Sequence, residues 1–156
     1  MILYHSSRDI VMYPDIVHSR LYLDFGKGFY LTTIYQQAKR YAERFLRRGS
    51  PAWLNTYELA DNIDNWNILR FDSYDGAWLD FVSMCRAGND NTDYDMVIGG
   101  IANDRVVLTL DRYFTGELTQ EQALGLLAFE KPNIQYCIRS ERMLKECLTF
   151  IKSEQL

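Results

Sequence analysis

The sequence predicts an α+β fold, and three observations carry that expectation. Strand-like apolar runs recur from one end of the chain to the other, segments with helical spacing lie between them, and the two follow no regular strand-helix-strand rhythm. The missing rhythm argues against a doubly wound parallel sheet. A chain of 156 residues, 47% hydrophobic and 14% aromatic, supplies one core. No internal repeat, low-complexity tract or Pro/Gly/Ser-rich linker marks a boundary, so one domain over residues 1–156 is expected.

Taken in order, Ile2 to His5 alternates as a short strand that His5 closes, and Ser6 to Arg20, with Pro14 and mixed polarity, reads as an irregular excursion. Phe29 to Thr33 is a second strand. From Ile34 to Arg48 there is no glycine or proline, and Ile34, Ala38, Tyr41, Ala42 and Phe45 recur at helical spacing opposite a basic face. Trp53 to Leu59 and Trp66 to Phe71 read as strands, followed by a helix through Trp78, Phe81, Val82 and Cys85 that Gly88 can end. Tyr94 to Ile98 reads as a buried strand running into Gly99-Gly100, and Gly99 to Asp104 as a strand followed by a tight turn and a helix cap. A helix through Val106, Leu110, Tyr113 and Phe114 follows, then one opened by Thr119 with Gln122 at capping-box spacing and interrupted by Pro132. Ile134 to Ile138 is a strand, Glu141 to Cys147 a short helix, and Leu148 to Ile151 a last strand.

Composition excludes several classes. No segment approaches the ~18–20 apolar residues that span a bilayer, and no secretion signal opens the chain, so a cytoplasmic protein is expected. Cys85, Cys137 and Cys147 have no C-x-x-C spacing and form no ligand cluster with the two histidines, so no metal is expected and the thiols read as buried and reduced. A net charge of −4 argues against indiscriminate nucleic-acid binding and leaves room for a local basic face.

The strongest local signal is Asp24-Phe25-Gly26-Lys27-Gly28-Phe29-Tyr30-Leu31-Thr32-Thr33, two glycines flanking a lysine and leading into an aromatic strand. The glycines allow positive φ and close approach of a ligand to the backbone. A third glycine and a G-K-[ST] ending are both missing, which argues against Rossmann and P-loop phosphate sites. Alone, the motif reads as a hairpin turn, and His5 beside Ser6 and Ser7 reads as a structural histidine.

Together these segments resemble the ADP-ribosyltransferases of the diphtheria-toxin and poly(ADP-ribose) polymerase branch, whose signature is His, Tyr and a Glu, Asp or Gln on three strands. Leu3-Tyr4-His5-Ser6-Ser7 matches the first motif, Phe25 to Tyr30 the second, Tyr41 the further tyrosine eleven residues on, and Gln135 in Asn133-Ile134-Gln135-Tyr136-Cys137 the third. Over Leu3 to about Ile151 the chain is similar to a bacterial family of small domains that form the toxin half of toxin-antitoxin modules.

The resemblance implies two packed, mainly antiparallel sheets around an NAD⁺-binding cleft, with flanking helices, and growth inhibition by ADP-ribose transfer to RNA or protein. It also implies a cognate antitoxin. His5 would hydrogen-bond a ribose hydroxyl, Tyr30 and Tyr41 would sandwich the nicotinamide, the backbone at Ser6 would meet its amide, and Gln135 would hold the reacting ribose. Ser7, Lys27 and Gly28 complete the implied NAD⁺ contacts. A neutral glutamine brings no charge to the developing cation, so a single ADP-ribose per event is expected, with a catalytically weak NAD-binding module or an RNA 2′-phosphotransferase as alternatives. Ser6 stands where relatives often have Gly, and Ala38 where the polymerase branch has a nicotinamide-binding serine. Asp104, Asp95 and Glu130 are candidate bases by chain neighbourhood, and Asn133, two residues before Gln135, is a candidate acceptor contact. Lys39, Arg40, Arg44, Arg47 and Arg48 read either as a solvated face or as a rail for a phosphate backbone, with Arg139, Arg142 and Lys145 a second patch.

Overall fold

The computed structural model describes all 156 residues and shows an α+β protein of seven strands and five helices. In chain order these are β1 (Ile2–Ser7), β2 (Phe29–Leu31), α1 (Tyr35–Arg47), β3 (Trp53–Leu59), β4 (Ile68–Arg70), α2 (Gly76–Arg86), β5 (Met96–Ile101), α3 (Asp104–Phe114), α4 (Gln120–Leu127), β6 (Asn133–Ile138), α5 (Glu141–Cys147) and β7 (Leu148–Gln155). One sheet has the order β1-β3-β7 and is antiparallel throughout. The other has the order β2-β6-β5-β4, with only the β4-β5 pair parallel.

Strand alternation sorts the apolar side chains into two cores. Phe29, Leu31, Met96, Ile98 and Ile138 of the four-stranded sheet join Leu3, Tyr57 and Leu59 of the other sheet and Met143 and Leu144 of α5. Their chain neighbours Val97 and Cys137 face the opposite way and pack with Trp78, Val82, Val106, Leu110 and Leu127 of α2, α3 and α4. Helix α1 lies on β1 and β3, burying Ala38 and Ala42. Its partner positions carry small side chains, so the backbone of the helix approaches the sheet closely.

The helix starts follow the sequence. Asp75 caps α2 by accepting from Trp78 N at 2.9 Å, Asn103 caps α3 through Arg105 N and Val106 N, and the expected Thr119/Gln122 box opens α4. No helix is long and apolar enough to cross a membrane.

Four expectations need correction. The first strand continues past His5 to Ser7 because β3 offers partners as far as Trp53. The strand at Met96 does not end at Ile98 but runs through Gly99-Gly100 to Ile101. Both glycines are there for lack of a side chain: a Cβ would stand 2.9 Å from Phe71 Cβ at Gly99 and 2.5 Å from the Tyr74 ring at Gly100. Helix α4 ends at Leu127, before Pro132 is reached. The last strand extends to Gln155, paired with Trp53.

Candidate functional site

The two sheets touch at one backbone bridge, where Tyr4 N donates to Thr32 O at 2.8 Å and Thr32 N returns to Tyr4 O at 3.0 Å. Strands β1 and β2 share no further pairing, and His5 stands next to the bridge with Nδ1 2.8 Å from the Tyr30 carbonyl. A carbonyl only accepts, so Nδ1 carries the proton and Nε2, which has no protein partner, is a free acceptor. The ring leans on Phe29, centroids 4.2 Å apart. Burial holds the imidazole below the ordinary histidine range, against the smaller opposing pull of the Tyr30 carbonyl. His5 is therefore neutral at pH 7.

Tyr30 points to the other face of its sheet, its ring stacked on Phe25 with centroids 6.4 Å apart and planes 12° from parallel. Its hydroxyl donates to Gly26 O at 2.7 Å and accepts from Phe25 N at 3.1 Å, which clamps the glycine turn. Burial raises its pKa far above the usual tyrosine range, so the phenol stays protonated.

Strand register brings Gln135 to the same place. Tyr30 pairs with Cys137 and Leu31 with Tyr136, so the next step sets Gln135 beside Thr32, while Gly99 pairs with it on the other side. Gln135 is 9% exposed, and its amide makes no hydrogen bond within the protein. The only fully enclosed side-chain atoms without a partner are Thr56 Oγ1 and Arg139 Nη1, so the Gln135 amide remains reachable. Below it, Gln37 of α1 accepts from Thr32 Oγ1 at 2.8 Å and donates to Asn133 Oδ1. With no protein partner and a path to solvent, this amide keeps both its donor and its acceptor open to a ligand.

Other expected residues lie differently. Ser6 Oγ donates to Ala38 O at 2.5 Å, and Ser7 Oγ donates to Asp9 O and accepts from Asn55 Nδ2, so both hydroxyls are occupied internally. Tyr41 is 45% exposed; its ring meets Phe45 edge-on and the Arg44 guanidinium at 5.0 Å, and does not touch Tyr30. Lys27 lines a separate pocket of about 470 Å³ with Tyr22, Asp90, Thr92 and Arg139, a pocket that includes none of His5, Tyr30, Tyr41 or Gln135. Gly28 is required by packing, since a Cβ there would fall 2.3 Å from Cys137 Sγ. That approach is by the protein's own strand, not by a ligand.

Asp104 is an exposed first-turn residue of α3, Glu130 pairs with Arg105 at 3.1 Å, and Asp95 accepts from Asn67 N at 2.9 Å. Arg40 is exposed on α1. Burial, the largest cause for both, pushes the Cys85 and Cys137 thiols up to about 12, which removes them as nucleophiles.

Two positioning residues escaped sequence reasoning. Gln37 joins α1 to the Asn133 end of β6. Asn55, fully buried, accepts from Val11 N at 3.0 Å and Ser153 Oγ at 2.6 Å while donating to Ser7 Oγ, fixing the stretch that follows His5. A polar residue central in the Trp53 to Leu59 strand was the available signal for Asn55.

The site thus belongs to an α+β protein whose sheets meet at a single bridge, with a neutral histidine next to that bridge and an unbonded glutamine amide two positions from Cys137, the partner of Tyr30. The chain belongs to the family described as protein of unknown function DUF3990, whose model matches residues 1–150. No curated protein and no solved structure matches the chain.

Proposed function

We propose that this protein has an ADP-ribosyltransferase-like fold and is a mono-ADP-ribosyltransferase, the toxin half of a toxin-antitoxin pair, acting at the junction of β1, β2 and β6. One observation carries the reading. Three motif residues spread over 130 positions come onto neighbouring strands, His5 bonded to the Tyr30 carbonyl and Tyr30 paired with Cys137, two residues from Gln135. The junction leaves a reachable acceptor on His5 and a reachable amide on Gln135, a set that fits the hydroxyls of a ribose.

NAD⁺ is the substrate in this reading. His5 Nε2 accepts from a ribose hydroxyl, and the face of Tyr30 holds the nicotinamide ring, while Tyr41, which meets Phe45 and Arg44 on α1, takes no part in that stack. With the Tyr30 hydroxyl occupied at Gly26, stacking is what that residue has to offer. The Gln135 amide fixes the 2′-hydroxyl of the reacting ribose. The bond from C1′ to the nicotinamide nitrogen breaks, positive charge builds on the ribose, an acceptor nucleophile bonds to C1′ and its proton leaves to solvent. Positioning and preorganised hydrogen bonds supply the rate. Because Gln135 is neutral, transfer stops at one ADP-ribose.

A cognate antitoxin protein is supported by the apolar excursion between β1 and β2. Tyr13 is 86% and Val17 74% exposed there, on the segment that leads from His5 to the glycine turn.

Labelled NAD⁺ incubated with the protein and cell lysate tests the reading. Label is expected in macromolecular material sensitive to either protease or nuclease, and lost with His5→Ala. Expression of the chain alone is expected to arrest growth, with relief by the same change. Undiminished labelling by a folded His5→Ala protein would overturn the site.

A further inference from the structure

We infer that the outer face of α1 is a binding track for single-stranded nucleic acid, leading to the junction at Gln135. Only in naming that strand as the acceptor does this rest on the transfer reading.

The first support is how the cations are used. Of the seven arginines elsewhere, five sit against carboxylates, Arg86 on Asp24, Arg105 on Glu130, Arg112 on Glu117, Arg139 on Asp90 and Arg142 on Glu146, and only Arg20 and Arg70 do not. On α1 and the adjoining segment, Arg8, Lys39, Arg40, Arg44, Arg47 and Arg48 are all exposed and none forms an ion pair. Glu43 is the one acid between Lys39 and Arg48, and Asp9 follows Arg8. In a chain of net charge −4 this concentration of unneutralised guanidinium groups is local, and each group keeps its planar fork free for phosphate oxygens.

The second support is the interleaving of aromatic rings. Arg44 lies over Tyr41 at 5.0 Å and Arg8 over Phe45 at 5.8 Å, and those two rings meet edge-on. Aromatic faces among arginines match bases whose own faces are open, as in a single strand; a duplex hides them and an acidic polypeptide lacks them.

The third is direction. Gln37, Tyr41, Arg44 and Arg48 follow one another at spacings of four, three and four along one flank of the helix. Gln37 heads that flank and is bonded to Asn133, next to Gln135 on β6 but one. The flank spans about 16 Å at the helical rise of 1.5 Å per residue. A strand lying on it has its end at the candidate site.

The test is fluorescence anisotropy with the full chain against four labelled probes: a short single-stranded oligoribonucleotide, the matching oligodeoxyribonucleotide, their blunt duplex, and polyglutamate. Single strands, of either sugar, are expected to bind more tightly than the duplex and polyglutamate, and to weaken steeply with salt. In the Arg40→Gln/Arg44→Gln/Arg47→Gln protein, the slope of log K on log salt is expected to fall by about 2, at ~0.7 per phosphate for single strands. Lys39→Gln/Arg48→Gln serves as a second variant, with circular dichroism to establish that both keep their helices. Equal or stronger binding of polyglutamate would make the face a site for an acidic protein. Binding led by the duplex, no binding at all, or parental binding by both folded variants would also overturn the track. NAD⁺ cleavage by the parent protein, measured without any nucleic acid, separates the two claims, since its absence sinks the transfer reading and leaves the track standing.

Discussion

The junction at His5 and Gln135 and the pocket under Tyr22 both gather polar side chains, and they are built in opposite ways. The pocket encloses about 470 Å³, and an ion pair holds it together, although Arg139 Nη1 is enclosed there without a partner. Arg139 Nη2 meets Asp90 Oδ2 at 2.6 Å and Thr92 O at 3.2 Å, and the guanidinium lies 5.8 Å from the Phe81 ring centroid. Burial would push the Asp90 carboxyl up, but hydrogen bonds from Thr92 and the charge of Arg139 outweigh it and hold the group below the usual carboxylate range. At the junction a glutamine amide and an imidazole nitrogen are left without protein partners. The buried Arg139–Asp90 pair stabilises the fold around the pocket, whereas the unpartnered imidazole nitrogen and amide at the junction belong to no such pair and keep their hydrogen-bonding capacity for a ligand.

The comparison breaks most readily at Arg139. Arg139→Ala leaves Asp90 buried without its cation and is expected to cost about 3–5 kcal/mol in urea denaturation, with NAD⁺ cleavage by the folded fraction unchanged. Loss of cleavage with full stability would move the site into the pocket. Gln135→Ala is expected to do the reverse. It orphans no protein group, so stability holds, while transfer falls about 100-fold, the scale of one lost preorganised donor. Gln135→Glu is expected to retain substantial NAD⁺ cleavage, with more hydrolysis to free ADP-ribose. Equal rates for all three proteins would reduce Gln135 to a strand residue.

Tyr30→Phe sharpens the account on a smaller scale. The missing hydroxyl frees Phe25 N and Gly26 O and is expected to cost about 1–2 kcal/mol in thermal or urea melts, with the ring and therefore cleavage retained. The smallest effect concerns acid. A histidine held neutral by burial binds its proton more weakly folded than unfolded, so stability is complete above about pH 6.5 and declines as pH falls from there toward the lowered pKa. His5→Asn is expected to flatten that part of a stability profile measured between neutral and mildly acid pH.

Elements were legible in the sequence because their signals are local. Helical spacing at Ala38 and Ala42, the Thr119/Gln122 box and the alternating run from Trp53 all lie within one element, and the structure has them where the spacing puts them. Pairing order was not legible, since β6 sits between β2 and β5 through contacts a hundred residues apart. Gly99 and Gly100 misled for the same reason: the rings of Phe71 and Tyr74 that demand a bare backbone are distant in the chain. His5, Tyr30 and Gln135 could be nominated by motif, but their meeting depends on the Tyr4 to Thr32 bridge. Lys27 was nominated with them as part of the Phe25 to Tyr30 motif, and it lines the other pocket, beyond the turn that Tyr30 clamps.

Titration of the isotopically labelled protein with NAD⁺, followed by backbone and side-chain amide resonances, tests the central claim most directly. The side-chain amide of Gln135 and the backbone amides of Ser6 and Tyr30 are expected to shift together on one binding curve, with Thr92 and Asp93 at the pocket under Tyr22 unmoved. Shifts confined to Lys27, Thr92 and Asp93, with Gln135 silent, would contradict it.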